Sequence, residues 1–245
     1  MRSCVLIPAR YASTRFPGKP LVLLNGKPMV LWVAELSARA VGREHVYVAT
    51  ESEQIADVVE AAGFASLMTS STALTGTDRL AEAAAQIDYD IYINVQGDEP
   101  MIDPADILRC RDAKAAQMDV IVNGFTWIGD DEDPANVNIP KVIADESGGM
   151  VYMSRQPLPG SKTAETAPKR YMKQVCIYCF TAEELAAFAG FGRKSYLEAC
   201  EDIEILRFLE LGRRVQMVEA RPGSLAVDTP GDVAIVEAAM RELAF

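Results

Sequence analysis

The architecture of this 245-residue chain is set by the stretch Cys4-Val-Leu-Ile7, followed by Pro8-Ala-Arg10-Tyr-Ala-Ser-Thr-Arg15-Phe-Pro-Gly-Lys19-Pro20. The apolar run predicts a buried strand, and the prolines and glycine after it predict a bent loop that leaves the carboxyl end of that strand. The loop carries three cations, Arg10, Arg15 and Lys19. Backbone N–H groups and fixed positive charge in such a loop can meet phosphate oxygens, so the segment is predicted to bind a polyphosphate.

The first 34 residues contain no acidic side chain. The chain has 35 Asp and Glu among its 245 residues, so 34 average positions would hold about five, and its net charge is −11. Positive charge confined to one segment of an acidic chain suits a small anionic ligand and argues against a general nucleic-acid or membrane binder. The loop matches neither the Walker A motif nor the G-x-G-x-x-G motif.

Composition places the chain among ordinary globular proteins. Hydrophobic residues make up 49% of it. The length allows one large domain or two small ones, and because no linker marks a second domain, a single domain over residues 1–245 is predicted. No apolar stretch reaches the length of a membrane span, and no signal peptide is recognisable, so a cytoplasmic location is expected. Five cysteines, an odd number, predict free thiols, and the pair Cys176 and Cys179 is interpreted as part of a strand rather than a metal site.

The first half of the chain alternates between strand-like and helix-like patterns. The predicted strands are 4–7, 45–49, 66–68 and 91–95, and the predicted helices are 28–41, 52–62, 77–87 and 103–116. Such alternation with short connections predicts an α/β fold with a mostly parallel sheet flanked by helices. Ligands of these sheets bind outside the carboxyl ends of the strands. The basic loop lies at one such end.

The second half is richer in strands. The predicted strands are 119–127, 140–144, 150–153, 172–180 and 214–219, and the predicted helices are 182–188, 196–211 and 230–243. Segment 125–180 is predicted to be a smaller excursion from the sheet that closes over a substrate or builds a dimer interface.

Two separate aspartates are candidate ligands for one metal ion. Asp98 lies in Gln96-Gly-Asp-Glu-Pro100, directly after the predicted strand 91–95, and Asp228 follows a short apolar run near the end of the chain. Mg²⁺ is usually held by one or two carboxylates together with phosphate oxygens and water. Asp103 and Pro104 already fit the N-cap and the first position of helix 103–116, which leaves Asp98 for the metal.

The segment Thr75-Gly76-Thr77-Asp78-Arg79 is predicted to open a helix. Gly76 allows backbone to approach a ligand closely, and Thr77 is interpreted as the helix cap, with a nucleotide contact as the alternative.

Several of these runs together resemble one family. They are Ile7-Pro-Ala-Arg-Tyr-Ala-Ser-Thr-Arg-Phe-Pro-Gly-Lys-Pro-Leu21, Asn25-Gly-Lys-Pro-Met29, Gly76-Thr-Asp-Arg79, Asn94-Val-Gln-Gly-Asp-Glu-Pro-Met101 and Val227-Asp-Thr-Pro230. The chain is similar over nearly its whole length to the 3-deoxy-manno-octulosonate (Kdo) cytidylyltransferases, also called CMP-Kdo synthetases. The resemblance implies a Rossmann-like nucleotidyltransferase fold, a homodimer, CTP as donor, Mg²⁺ as cofactor and pyrophosphate as product.

The resemblance also implies roles for individual residues. Arg10, Arg15 and Lys19 form the triphosphate loop after Pro8 and Ala9, and together with Asp98 they are the catalytic candidates. Asp98 and Asp228 become the metal ligands. Arg79 and Gln96 line the nucleotide site. The acceptor acid itself attacks the α-phosphate in this family, so no protein nucleophile is required.

The acceptor half of the pattern departs from the family. Where the family has His-x-Gly-Ile-Tyr, this chain has Gln174-Val-Cys-Ile-Tyr178, and where the family has Glu-Gln-Leu-Arg, it has Glu204-Ile-Leu-Arg207. A further departure is Ala73-Leu-Thr-Gly-Thr77 in place of His-x-Ser-Gly-Thr. Ile205 in place of Gln would leave a bound hydroxyl unpaired, at a cost of about 1–3 kcal/mol. The candidate acceptor contacts are Lys173, Gln174, Tyr178 and Glu204, with Lys169 and Arg170 nearby.

Three hypotheses follow from the sequence. The chain is a Mg²⁺-dependent cytidylyltransferase acting on Kdo or a close analogue, or it performs the same chemistry on another acidic acceptor, such as a modified keto sugar acid or a small phosphonate. The third hypothesis is a non-catalytic nucleotide-binding protein. In every case the expected partners are small molecules and a second copy of the chain, with neither nucleic acid nor membrane.

Overall fold

The computed structural model describes residues 1–12, 16–130 and 132–242. The strands are β1 Ser3–Pro8, β2 Leu23–Leu24, β3 Lys27–Pro28, β4 Val46–Thr50, β5 Ala65–Met68, β6 Ile91–Val95, β7 Ile121–Trp127, β8 Lys141–Ala144, β9 Met150–Ser154, β10 Met172–Phe180 and β11 Val215–Glu219. The α-helices are α1 Met29–Val41, α2 Glu53–Ala61, α3 Gly76–Ala84, α4 Pro104–Ala116, α5 Ala182–Gly190, α6 Tyr196–Glu201, α7 Leu206–Glu210 and α8 Asp232–Glu242.

One sheet runs through the described chain in the order β11-β7-β10-β6-β1-β4-β5. Strands β6, β1, β4 and β5 are parallel neighbours, as are β11 and β7, whereas β10 is antiparallel to both β6 and β7. The chain moves outward from β1 to β4 and β5 and then returns to the other side of β1 with β6. The carboxyl ends of β1 and β6 therefore form a topological switch point, where open α/β sheets bind their ligands.

Helices cover both faces of this sheet. On one face, α1, α2 and α4 pack side chains such as Val33, Val59 and Ile107 against the sheet. On the other face, α3, α5 and α7 do the same with Leu80, Phe188 and other apolar residues. Strands β1, β4 and β6 are buried along nearly their whole length, which explains why they are rich in apolar residues, whereas the edge strand β5 is partly exposed.

The predicted α/β fold with a mostly parallel sheet is confirmed. The predicted strands and helices of the first half lie within one residue of their observed bounds, except that α3 ends at Ala84, three residues before the predicted end at 87. Asp103 is the N-cap of α4, and its Oδ1 accepts the N–H of Ala105 at 2.8 Å. Asp98 is thus left outside the cap.

Three predictions about the second half need correction. The single helix predicted at 196–211 is two short helices, α6 and α7, because Asp202 adopts a left-handed conformation with φ of 52° and ends α6. The last helix begins at Asp232 rather than at 230. Segment 125–180 is only partly an excursion, since Met172–Phe180 lies in the middle of the main sheet. The β8–β9 hairpin is a side branch of the same sheet, joined to it where β8 pairs with the start of β10.

Across the described ranges, none of the helices combines the length and the apolar character that a membrane crossing requires.

Candidate active site

A cavity of about 710 Å³ opens at the switch-point edge of the sheet. Its walls come from the carboxyl ends of β1 and β6, the start of α3, the amino-terminal half of β10 and the segment around Asp228. Gly97 is required there by the close approach of the two strand ends, because a Cβ on this residue would lie 3.1 Å from the carbonyl oxygen of Pro8. The sequence motifs, which are far apart in the chain, thus meet at one place.

Lys19 joins the two predicted metal ligands. Its Nζ lies 2.7 Å from Oδ2 of Asp98 and 3.7 Å from Oδ1 of Asp228. The three side chains are partly exposed and line the cavity. Two carboxylates from distant parts of the chain therefore converge on one positive charge beside the basic loop.

The chemistry of this pair fits a magnesium ion. Both aspartates offer hard oxygen donors, and both already lie within reach of a single cationic atom, the ammonium nitrogen of Lys19. Within residues 1–12, 16–130 and 132–242 there is no cluster of three or more His, Cys, Asp and Glu that could hold a metal. Two protein carboxylates, with the remaining positions left to phosphate and water, are the usual arrangement for Mg²⁺ bound to a nucleotide.

The basic loop meets the cavity through Pro8, Ala9, Arg10 and Lys19. Ala9 continues the sheet, since its N–H donates to the carbonyl of Ala49 at 2.9 Å. Arg10 is exposed and reaches the cavity wall. Arg15, the third predicted cation of the loop, lies outside the described residues.

Arg79 is held by an acidic residue that the sequence analysis did not select. Its guanidinium lies 3.1 Å from Oε2 of Glu51, and the other oxygen of Glu51 accepts the N–H of Tyr11 at 2.9 Å. Glu51 follows β4 directly, so its position after a parallel strand was the signal that could have found it. Arg79 and Gln96 both line the cavity, as the predicted nucleotide contacts should.

Thr77 lies behind the cavity wall rather than on it. Its N–H and hydroxyl both donate to Oε2 of Glu204, at 2.8 and 2.6 Å, and the N–H of Gly76 donates to Oε1 at 3.0 Å. The cap of α3 is Thr75, whose side chain accepts the N–H of Asp78, so the prediction of Thr77 as the cap is wrong by two residues. A carboxylate at these N–H groups is favoured by the helix dipole.

The candidate acceptor residues Lys173, Gln174, Tyr178 and Glu204 line the same cavity. Lys173 forms an ion pair with Glu132, and the Nε2 of Gln174 donates to Oδ1 of Asn123 at 3.0 Å. Tyr178 is 7% exposed, and its burial raises its pKa well above the ordinary value. The guanidinium of Arg170 lies over the ring of Trp127, 3.6 Å from its centre; Lys169 and Arg170 are not part of the cavity wall.

Glu99 is a buried carboxylate in the wall of the same cavity, next to Asp98. Its carboxylate accepts the N–H of Cys176 at 3.1 Å and the hydroxyl of Ser224. Burial raises the pKa of Glu99, and the neighbouring charge of Asp98 adds to the shift. Glu99 could have been selected from the sequence, because it lies next to Asp98 in the same motif. Ser224 could not, because it comes close to Glu99 only in the folded chain.

The fold and the site together define an α/β nucleotidyltransferase. The sequence model of a family described as "Cytidylyltransferase" matches residues 4–215, and the chain belongs to that family. The 3-deoxy-manno-octulosonate cytidylyltransferase of Geotalea daltonii is 42% identical over 243 residues, which cover 95% of this chain and 96% of that protein. The 8-amino-3,8-dideoxy-manno-octulosonate cytidylyltransferase of Shewanella baltica is 37% identical, with coverage of 95% and 96%.

A solved structure gives the same result. CMP:2-keto-3-deoxy-manno-octonic acid synthetase complexed with CTP superposes with a TM-score of 0.91 at 34% identity, and the match covers 99% of this chain and 100% of that one. The resemblance drawn from the sequence motifs is therefore confirmed. The chain is an enzyme of the nucleotidyltransferase class, which removes the hypothesis of a non-catalytic nucleotide-binding protein.

Proposed function

We propose that the chain transfers CMP from CTP to Kdo or a close analogue, with Mg²⁺ as cofactor and pyrophosphate as the second product. The observation that carries the proposal is the convergence of Asp98 and Asp228 on Lys19 at the edge where the basic loop leaves β1. The relatives of Geotalea and the CTP-bound synthetase support the choice of donor and acceptor.

In this proposal the protein supplies charge and position rather than a nucleophile. Arg10, Arg15 and Lys19 bind the triphosphate, and their positive charge counts most when negative charge moves to the leaving oxygens. Asp98 and Asp228 hold Mg²⁺, which when bound supplies Lewis-acid polarisation of phosphate oxygens. Arg79 and Gln96 contact the nucleotide, with Pro8 and Ala9 shaping the loop. Thr77 acts through Glu204 instead of touching the nucleotide.

The acceptor occupies the part of the cavity lined by Lys173, Gln174, Tyr178 and Glu204. Lys173 offers positive charge for an acid, although Glu132 offsets it. Glu204 has two carboxylate oxygens that already receive three hydrogen bonds from Gly76 and Thr77. An ionised carboxylate has about four acceptor positions, so Glu204 keeps one for a hydroxyl of the acceptor.

A second acceptor is favoured by a specific observation. Gln174, Cys176 and Ile205 depart from the family pattern in the acceptor half, and relatives that are 37–38% identical act on the 8-amino analogue according to their names. A modified keto sugar acid, such as this amino sugar, is therefore the alternative substrate; a small phosphonate is the more distant one.

One assay tests the proposal. Purified enzyme is supplied with CTP, Mg²⁺ and one acid from a panel that contains Kdo, its 8-amino analogue and a small phosphonate, and pyrophosphate is measured. Release with Kdo supports the first acceptor, and release only with another acid supports the alternative. Repeating the assay with UTP and ATP tests the preference for cytosine, and omitting Mg²⁺ tests the metal.

Further parts of the proposal concern the whole protein. Strands from both halves of the chain share one sheet, which supports one nucleotidyltransferase domain over 1–245. The β8–β9 hairpin branches from that sheet through β10 and is the proposed contact of a homodimer, which sedimentation of the purified protein tests. The five cysteines are free thiols in the structure, as is usual for cytoplasmic proteins, and that supports a cytoplasmic location.

A further inference from the structure

A bulge interrupts β10 at the centre of the sheet, beside the cavity. Val175 is opposite Gly124 of β7, but Tyr178 is opposite Asn123, the very next position of β7. Two residues of β10, Cys176 and Ile177, therefore have no partner in β7. Such irregularities are typical next to active sites, where they redirect side chains.

The side chain of Asn123 fills the gap in the hydrogen-bond ladder. Its Nδ2 donates to the carbonyl oxygens of Val175 and Ile177, at 3.0 and 2.8 Å. Its Oδ1 accepts the Nε2 of Gln174 at 3.0 Å. Asn123 is completely buried, and its amide is bonded at both ends. Without it, two buried carbonyl groups would lose a partner, each at a cost of about 1–3 kcal/mol.

Gly124 makes room for the same bulge. A Cβ on Gly124 would lie 3.3 Å from the Cβ of Val175 and 3.4 Å from its carbonyl oxygen. Asn123 and Gly124 are thus two adjacent residues of β7 that each fit the irregular course of β10, one by hydrogen bonds and one by the absence of a side chain.

The bulge connects the two parts of the cavity. The N–H of Cys176 donates to Glu99 at 3.1 Å, and the carbonyl of Cys176 accepts the N–H of Gln96 at 3.2 Å. On either side of Cys176, Gln174 and Tyr178 line the acceptor part. The nucleotide part has its own supports, since Gly97 packs on Pro8 and the carbonyl of Asp98 accepts the N–H of Val227 at 2.9 Å. The positions of the acceptor residues Gln174 and Tyr178, in contrast, depend on the bulge.

We propose that Asn123 is a positioning residue for the acceptor: by holding the β10 bulge, it sets where Gln174 and Tyr178 stand relative to the nucleotide site. The inference rests on the proposed function, because it assigns the acceptor to this part of the cavity. Asn123 touches no substrate. Its effect passes through Gln174, the residue that stands where the family pattern has histidine.

The test compares Asn123→Ala with Val122→Ala, a neighbouring buried residue of β7 whose apolar side chain packs in the core on the other face of the sheet and, unlike Asn123, can form no hydrogen bond to the bulge carbonyls. Asn123→Ala is expected to raise the KM for the acceptor at least about tenfold, because small displacements of binding groups have large effects on productive geometry. The KM for CTP is expected to rise much less, because Gln96 touches the bulge only through its backbone N–H and the other nucleotide residues are held elsewhere. Val122→Ala is expected to lower thermal stability and to leave both KM values unchanged.

Hydrogen exchange of the nucleotide-free enzyme gives a second readout. Asn123→Ala is expected to speed exchange in 172–180, including the amide of Cys176, and Val122→Ala is not. Gly124→Ala disturbs the same bulge, because the added Cβ would crowd Val175. It is expected to give the same changes in KM and in exchange, so it replaces Asn123→Ala if that variant fails to fold. Equal rises of both KM values, or exchange in 172–180 that matches the Val122 control, would overturn the inference.

The proposed function and the proposed role of Asn123 are tested by different measurements, so the failure of one can be told from the failure of the other. If the wild-type enzyme releases no pyrophosphate with any sugar acid, the proposed function fails. The exchange measurement still decides whether Asn123 holds the bulge, because it needs neither CTP nor an acceptor.

Discussion

The ammonium of Lys19 donates to the carboxylate of Asp98 at 2.7 Å, across 79 positions of the chain. Oδ1 of Asp228 lies 3.7 Å from the same nitrogen. Under the proposed function, a metal ion bound by the two aspartates would compete with Lys19 for them, and a bound triphosphate would give the lysine another partner.

Replacing Lys19 should reveal this competition. In the nucleotide-free enzyme, Lys19→Met is expected to raise the affinity for Mn²⁺ roughly fivefold, the equivalent of about 1 kcal/mol for one charge pair in a water-like environment. Titration followed by electron paramagnetic resonance of free Mn²⁺ measures it. Lys27→Met removes a lysine of the separate pair with Glu35 and serves as the control. Weaker or unchanged Mn²⁺ binding in Lys19→Met would contradict the arrangement.

Asp98→Asn should abolish turnover and leave the fold intact. The substitution removes one negative charge from the proposed metal site but keeps the shape of a partly exposed side chain. Pyrophosphate release measures turnover, and thermal unfolding measures the fold. Substantial residual turnover with an unchanged requirement for metal would remove Asp98 from the metal site.

Removing one partner from the buried triad of Arg207, Asp78 and Glu198 should strongly destabilise the fold around α3. Arg207 is fully buried and donates to both carboxylates, with distances of 2.7 to 3.2 Å. Arg207→Met is expected to lower the free energy of unfolding by about 3–5 kcal/mol, because it leaves two buried carboxylates without their partner. Urea unfolding measures the change.

Two further variants make the stability test specific. Arg213→Met breaks an exposed ion pair with Glu183 and should cost less than about 1 kcal/mol. Adding Asp78→Asn and Glu198→Gln to Arg207→Met should recover much of the lost stability, since the uncompensated charges are then gone. If the triple variant is as unstable as Arg207→Met alone, the uncompensated charges are not the cause of the lost stability.

The sequence predicted the switch-point edge of the sheet better than its acceptor side. Strands β1 and β6 are continuous apolar runs that end in Pro8 and Gln96, so their loops could be assigned to one edge before the structure was known. The places of the hairpin β8–β9 and of the antiparallel strand β10 in the sheet could not be predicted. Neither the alternation of apolar residues nor the turn residues indicate which strand a later segment pairs with.

Local backbone conformation accounts for other differences. The pattern of 196–211 is helical throughout, but Asp202 leaves the helical region and turns Glu204 toward α3. The bulge in β10 leaves the alternation of side chains undisturbed, since it adds two residues rather than one. Its partner Asn123 is consequently invisible in the sequence.

Asp106 predicts a pH dependence of stability. Burial raises its pKa above the ordinary value of 3.8, although the N–H of Arg221 and the charge of Arg109 oppose the shift. In the unfolded chain Asp106 loses its proton near pH 3.8, but in the folded protein it keeps the proton to a higher pH. The folded state binds more protons in that window, so this group makes stability fall as pH rises through it.

Asp106→Asn removes this dependence. Relative to the wild type, the variant is expected to gain free energy of unfolding as pH rises from 3.8 through the raised pKa, and to show no further relative change above it. Urea unfolding at a series of pH values measures the difference. A relative gain as pH falls would contradict the direction of the shift.

The central claim is that the basic loop binds a triphosphate opposite a metal ion that is coordinated by Asp98 and Asp228. A crystal of the enzyme with a non-hydrolysable CTP analogue and Mn²⁺, measured by anomalous scattering, tests it most directly. The account predicts an anomalous peak bonded to both aspartates, with the triphosphate against Arg10, Arg15 and Lys19. A peak that contacts neither aspartate, or a triphosphate outside the loop, would contradict it.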